Sequence, residues 1–236
     1  MLTIIGALII SVSFAQEKTS AVLYDLNSQR NEKLYTAIIE STPSSDGAKF
    51  HTVFRDLQGK TALEETGLIS GADLKDYTID RPQTNEKGHI EVRDGKVYFT
   101  YEGDGKKKTA EEKVSGDILC PANFSAFVRA HWGELNAGTA VPVRYAVWDR
   151  RETVGFTLQK MGESDHEGKK WMELRMKPTS FVIAAIVDPI HLWYAVDSKK
   201  LMVMKGRVQV KKQVDGKWKD LDAESVYTYD QNVVSK

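Results

Sequence analysis

The chain has 236 residues, and its 33 basic and 33 acidic side chains give a formal net charge of zero. Nucleic-acid-binding proteins usually carry a basic excess, so this balance argues against that class. The apolar fraction of 41% argues against a disordered chain. A polytopic membrane protein would need several apolar runs of roughly 20 residues, and the sequence has at most one short run.

Residues 1–15, MLTIIGALIISVSFA, predict a secretory signal peptide. Their uncharged apolar core is too short to span a bilayer, and the final Ser-Phe-Ala fits the small-x-small cleavage rule. Residues 1–15 contain no Lys or Arg after Met1, however, although signal peptides usually begin with a basic region. A buried N-terminal strand or helix is therefore the alternative. We expect cleavage after Ala15, a single β-rich domain over residues 16–236, and a periplasmic or secreted product.

The single cysteine, Cys120, excludes an internal disulfide. No cysteine follows the apolar run, so the sequence predicts no acyl anchor and no membrane span in the mature chain. An unpaired cysteine in an exported protein is usually buried and unreactive, and we expect this of Cys120.

Several segments alternate apolar and polar residues with a period of two, which predicts strands with one buried face. The clearest are residues 97–101, 141–148, 153–158 and 172–176. Asp-Gly pairs at 94–95, 104–105 and 215–216 predict tight hairpins, because both residue types tolerate positive φ. About ten to twelve antiparallel strands follow from this spacing.

Three other stretches are less regular. The polar stretch 41–48 predicts a hairpin loop. The basic run 106–108 is followed at once by Glu111 and Glu112, which indicates a solvated strand end rather than a nucleic-acid site. Residues 60–90 give no clear prediction.

Two segments favour helices. Residues 121–135 carry one apolar stripe at helical spacing, and Pro121 suits a first helical turn. The stripe consists of Phe124, Phe127, Val128, Trp132 and Leu135. Residues 180–187 are apolar all round and predict a second helix, with a buried strand as the alternative.

No catalytic or metal-binding motif is apparent. The five histidines lack metal-site spacing, and there is no Gly-x-Ser-x-Gly elbow or Gly-rich phosphate loop. Cys120 and His131 would lie about 16 Å apart along a helix, too far for a thiol dyad. The sequence therefore predicts no enzyme, no metal and no cofactor.

Two arginines are candidate contacts for an anionic head group: Arg129 on the predicted helix and Arg150 after the strand 141–148. The alternative is an internal salt-bridge network, for which Glu134 and Glu152 are available partners.

The segment 189–203 is apolar on both faces, which suits either a central core strand or the wall of a cavity. Methionine and aromatic side chains are common in deformable apolar pockets. The candidate ligand contacts are therefore Trp132, Trp193, Tyr194, Met202 and Met204, and plain core packing is the alternative for each.

Four phrases together resemble a group of exported bacterial β-sheet proteins of unknown function. They are Gly95-x-Val97-x-Phe99-x-Tyr101, Phe124-x-x-Phe127-Val128-Arg129-x-His131-Trp132-x-x-Leu135, Val143-x-Tyr145-x-Val147-x-x-Arg150 and Asp188-Pro189-Ile190-x-Leu192-x-Tyr194. The group is broadly similar in strand layout to the half-barrels of the lipoprotein-localisation carriers. This resemblance, over about residues 90–230, implies an antiparallel sheet wrapped around helical plugs, with an apolar concave face.

The sequence thus predicts a mostly-β fold: a single strongly curved antiparallel sheet, half-barrel or barrel-like, with one or two covering helices. The first functional hypothesis is a periplasmic carrier or binding protein for an apolar ligand, such as a lipid or acylated molecule. The second is a non-catalytic structural or interaction module of the cell envelope with a protein partner. A third, an unrecognised hydrolase, would need a polar pocket that gathers His131 or His191 with a carboxylate and a serine.

Overall fold

The computed structural model describes residues 17–185 and 187–230. The predicted signal peptide and its cleavage site lie outside these residues. Within them the chain forms fifteen strands and three short helices, which are β1 (Glu17–Asp25), β2 (Lys33–Ser44), β3 (Gly47–Arg55), β4 (Thr61–Ser70), β5 (Asp73–Arg81), β6 (Glu86–Arg93), β7 (Lys96–Gly103), β8 (Lys106–Lys113), β9 (Ile118–Leu119), α1 (Phe124–Ala130), α2 (Trp132–Asn136), β10 (Val141–Val147), β11 (Glu152–His166), β12 (Lys169–Pro178), α3 (Phe181–Ala184), β13 (Ile190–Ala195), β14 (Leu201–Val214) and β15 (Lys217–Tyr229).

The three Asp-Gly pairs form the tight hairpin turns that the sequence predicts. Each Asp-Gly pair takes up positive φ at both residues, for example 51° at Asp94 and 70° at Gly95. This geometry matches the twist of the flanking strands and joins β6 to β7. The other two pairs join β7 to β8 and β14 to β15 in the same way.

All fifteen strands belong to one sheet, in the order β8-β7-β6-β5-β4-β3-β2-β1-β15-β14-β13-β12-β11-β10-β9. Every pairing is antiparallel except that of β9 with β10. Within the described residues the two outer strands, β8 and β9, do not pair with each other. The predicted single antiparallel sheet is thus confirmed, with more strands than expected and without closure into a barrel.

The sheet has two arms, β1–β8 and β9–β15, which pair through β1 and β15. The arms also contact each other away from that pairing. Glu112 in β8 accepts a hydrogen bond of 2.6 Å from the Thr153 hydroxyl in β11. One apolar cluster combines inward residues of the first arm, such as Phe99, with Ala146 and Trp148 from the second. The core therefore lies inside the curve of the sheet.

The predicted helix 121–135 is two short helices. His131 separates α1 from α2 with φ −95° and ψ 15°, and Gly133, a weak helix former, follows. The predicted apolar stripe is nevertheless buried at Phe127, Val128, Trp132 and Leu135, in a second cluster with β10–β13.

The predicted helix 180–187 is shorter and more exposed than expected. Only residues 181–184 are helical, and Ile186 lies outside the described residues. Pro189 disfavours helical backbone at the residue before it, which is consistent with a helix that ends before residue 187. Phe181 is 90% exposed and Val182 73% exposed, so α3 is not a buried cover. No helix in the described part of the chain is long and apolar enough to cross a membrane.

Candidate functional site

An apolar cavity of about 200 Å³ lies between the concave face of the sheet and the segment 121–126 that leads into α1. Strands β2–β5 provide one wall, and β13–β15 provide the other. Aromatic side chains are prominent in the lining, namely Phe50, Phe54, Tyr77, Phe124, Tyr145 and Tyr227. A concave apolar lining of this kind is the usual setting for a small-molecule site.

The covering segment is fastened by Asn123, whose side chain is 1% exposed. Its Oδ1 accepts a hydrogen bond of 2.8 Å from the backbone N–H of Cys120. Its Nδ2 donates to the carbonyl oxygens of Ala72, at 2.9 Å, and Ile118, at 2.8 Å. These bonds tie the segment to the turn between β4 and β5.

Close packing against β4 requires a glycine beneath the segment. A Cβ atom built on Gly67 would lie 2.5 Å from the Cβ of Ala122, well inside contact distance. Only glycine lets the backbone of the segment approach the sheet this closely.

A carboxyl group, that of Glu65, also lines the cavity. In β4 the buried residues alternate as Leu63, Glu65, Gly67 and Ile69, so Glu65 occupies a core-facing position and is 6% exposed. The Tyr77 hydroxyl donates a hydrogen bond of 2.6 Å to its Oε1. Burial raises the pKa of Glu65 to about 7, although the bond from Tyr77 acts in the opposite direction.

The tyrosines near Glu65 and the Cys120 thiol keep their protons at neutral pH. Burial raises the pKa of Tyr77 and Tyr145 far above the ordinary range, and it raises those of Tyr227 and Cys120 to about 12. The negative charge of Glu65 adds to each of these shifts. Cys120 is fully buried, as expected, and its raised pKa keeps it a thiol.

One arginine lines the cavity, but its charge is already paired. Arg207 donates from Nε to Asp222 at 2.8 Å and from Nη1 to Asp220 at 2.6 Å. Among the described residues no basic side chain lies within salt-bridge distance of Glu65. The cavity therefore holds a buried carboxyl group without a cationic partner.

The two methionines among the predicted ligand contacts differ in their position relative to the cavity. Met204 lines the cavity, whereas Met202 does not. A bulge opposite the Trp193–Tyr194 step shifts the register, so that Met204 pairs with Leu192 while Leu201 pairs with Tyr194. The cavity side of β14 therefore carries Leu201 and Met204 rather than two methionines.

The predicted aromatic contacts lie elsewhere. Trp132 and Tyr194 pack edge to face at 6.2 Å inside the second apolar cluster. Trp193 is half-buried, stacks with His191 at 6.0 Å and has the ammonium group of Lys205 5.7 Å from its ring. None of these three aromatic side chains lines the cavity.

The two predicted arginine contacts are exposed and away from the cavity. Arg150 pairs with Glu152 at 2.6 Å, as the salt-bridge alternative expects. His131 and His191, considered for a hydrolase, bond to Glu134 and Glu173 and do not line the cavity. Residues 17–185 and 187–230 contain no cluster of three metal-ligating side chains.

Glu65 was not predicted from the sequence because residues 60–90 gave no clear prediction. The available signal was the alternation LxExGxI at residues 63–69, which puts Glu65 on the face of three apolar or small residues. Glu64, its neighbour, points outward and bonds to His51 at 2.7 Å.

No protein-family model matches the chain, and no curated protein matches it. Among solved structures it is similar to a putative outer membrane lipoprotein-sorting protein domain from Vibrio parahaemolyticus, at 10% identity and a TM-score of 0.28, over 94% of this chain and 87% of that one. It is also similar to a DUF1329 family protein from Desulfovibrio piger ATCC 29098, at 11% identity and a TM-score of 0.26, over the same shares of the two chains. A porin-like protein from Bacteroides uniformis ATCC 8492 follows at 9% identity and a TM-score of 0.22, over 90% of this chain and 97% of that one.

The resemblance to lipoprotein-sorting and other bacterial β proteins, stated from the sequence, is thus met again among solved structures.

Proposed function

We propose that this chain is a non-catalytic binding or carrier protein for a small apolar ligand, exported to the periplasm by the segment 1–15. The observation that carries the proposal is the apolar cavity between the sheet and the segment 121–126. A concave apolar space lined by aromatic side chains and a few polar groups suits a small apolar ligand.

The volume limits the occupant. An apolar protein cavity of about 150 Å³ accepts benzene, so the 200 Å³ present here accommodates roughly eight carbon atoms. Burying such a chain at about 0.8 kcal/mol per CH₂ provides roughly 6 kcal/mol before the cost of immobilisation. The ligand would be a short acyl or aromatic group, or one such end of a larger lipid.

Native mass spectrometry and organic extraction of the purified protein test for a retained ligand. Isothermal titration with 1-octanol tests the cavity directly, and we expect saturable binding with a one-to-one stoichiometry. A protein that carries no ligand and takes up no octanol would contradict the proposal.

Met204→Trp should fill part of the cavity and weaken octanol binding at least tenfold, because the indole occupies the volume that the ligand needs. Met202→Trp is the matched control, since Met202 lies two residues away on β14 but outside the cavity. We expect its octanol affinity to stay within twofold of the parent. Equal effects of the two substitutions would argue against this cavity as the site.

One observation favours the second hypothesis, an interaction module of the cell envelope. Phe181 and Val182 form an exposed apolar tip on α3, which is unusual for two adjacent large side chains. If this tip holds an envelope protein, Phe181→Ser should abolish a cross-linked complex with it. Leu57→Ser, at a turn residue that is 59% exposed, should leave the complex intact. A complex that survives Phe181→Ser would remove the support for this function.

A further inference from the structure

The cavity contains one feature that a purely apolar ligand does not explain. Glu65 is 6% exposed, and in the described residues its one hydrogen-bond partner is the Tyr77 hydroxyl. A buried carboxyl group normally has a cation or several donors around it. Among the lining residues that the structure describes, the one cationic side chain is that of Arg207, and it is paired with two aspartates.

We propose that the cavity is specific for an amine with a short apolar body, whose ammonium group pairs with Glu65 while the body fills the apolar space. The inference rests on the proposed function and names its ligand class. The sequence suggested a ligand with an anionic head group, whereas the cavity favours a cationic one.

The rest of the lining suits an ammonium group. Six aromatic side chains surround the space, and the faces of aromatic rings attract cations. The tyrosines in the lining remain uncharged at neutral pH, so none of them competes as an anion for the amine. Arg207, the one cationic side chain among the described lining residues, has its charge paired with Asp220 and Asp222.

The energetics favour an amine over its neutral and anionic analogues. Folding has already removed most of the Glu65 side chain from water, so an incoming ammonium group meets a carboxylate that is largely desolvated. An alcohol of the same length would gain only a hydrogen bond, and a carboxylate would meet a like charge. Because the chain has no net charge, nonspecific attraction of a cation should be small.

Isothermal titration at pH 8 with octylamine, 1-octanol and octanoate tests the inference, since the three probes share one chain length. An alkylamine is protonated at this pH, as a lysine side chain is. We expect octylamine to bind at least fivefold more tightly than octanol, and octanoate to bind most weakly.

Two substitutions assign the preference to one carboxyl group. Glu65→Gln should weaken octylamine binding at least tenfold and change octanol binding less than threefold, which also shows that the variant is folded. Glu64→Gln, on the outward face of the same strand, should change neither affinity.

The outcomes separate the inference from the proposed function. Octanol or octanoate binding as tightly as octylamine would overturn the inference and leave the binding function standing. The same holds if Glu65→Gln leaves the preference for octylamine unchanged. Failure of all three probes to bind the parent protein would overturn both.

Discussion

Asn123→Ala should lower the free energy of unfolding by roughly 3–5 kcal/mol, because it removes three hydrogen bonds and leaves their backbone partners buried. The partners are the N–H of Cys120 and the carbonyl oxygens of Ala72 and Ile118. Urea unfolding followed by circular dichroism measures the change.

Asn136→Ala is the control for this substitution. Asn136 is an exposed asparagine near the end of the same helical segment, and its side chain accepts a hydrogen bond from Lys160 at 3.1 Å. A surface change of this kind should cost less than about 0.5 kcal/mol. A loss of under 1 kcal/mol for Asn123→Ala would show that Asn123 does not fasten the covering segment.

Glu65→Gln should stabilise the ligand-free protein at pH 8 and have little effect on stability near pH 4. The folded protein holds the pKa of Glu65 at about 7, whereas the ordinary value is 4.5. The folded state therefore binds more protons than the unfolded state between these pH values, and the stability of the parent falls as pH rises through this window.

The size of this effect follows from the same two pKa values. At about 1.4 kcal/mol per pH unit, ionisation of Glu65 costs the folded protein roughly 3 kcal/mol at pH 8. Glutamine keeps an acceptor for the Tyr77 hydroxyl without the charge, so the variant should recover most of this free energy. Unfolding of both proteins in urea at pH 4, 6 and 8 measures it.

The pH dependence is the decisive part of this comparison. A difference between parent and variant that is constant from pH 4 to pH 8 would contradict a raised pKa at Glu65. Glu64→Gln is the matched control, measured at the same three pH values. We expect no comparable increase in its free energy of unfolding at pH 8, because Glu64 is exposed.

Local sequence signals predicted much of the fold. The Asp-Gly turns and the alternation in β7, β10 and β12 identified hairpins and buried faces, because both depend on a few neighbouring residues. In the same way, the apolar stripe of α1 and α2 identified the buried face of the segment 121–135, although the interruption at His131 was not predicted.

The features that shape the site depend on distant residues and were harder to predict. A bulge in β14 moves Met202 out of the cavity, and nothing in the residues around it marks the extra position. Glu65 is buried because the segment 121–126 packs over β4, a contact between parts of the chain far apart in sequence. The exposure of Phe181 likewise depends on tertiary packing that composition does not reveal.

The pairing of β1 with β15 at the middle of the sheet has a consequence for the order of folding. Apart from the parallel β9–β10 pair and the β12–β13 connection through α3, neighbouring strands in each arm are joined by short hairpins, which form quickly because their contacts are local. The seam between Thr19 and Tyr229 instead joins the two ends of the described chain and must overcome the entropy of closing nearly its whole length. The cavity has walls in both arms, so we expect it to form only after the β1–β15 seam has closed.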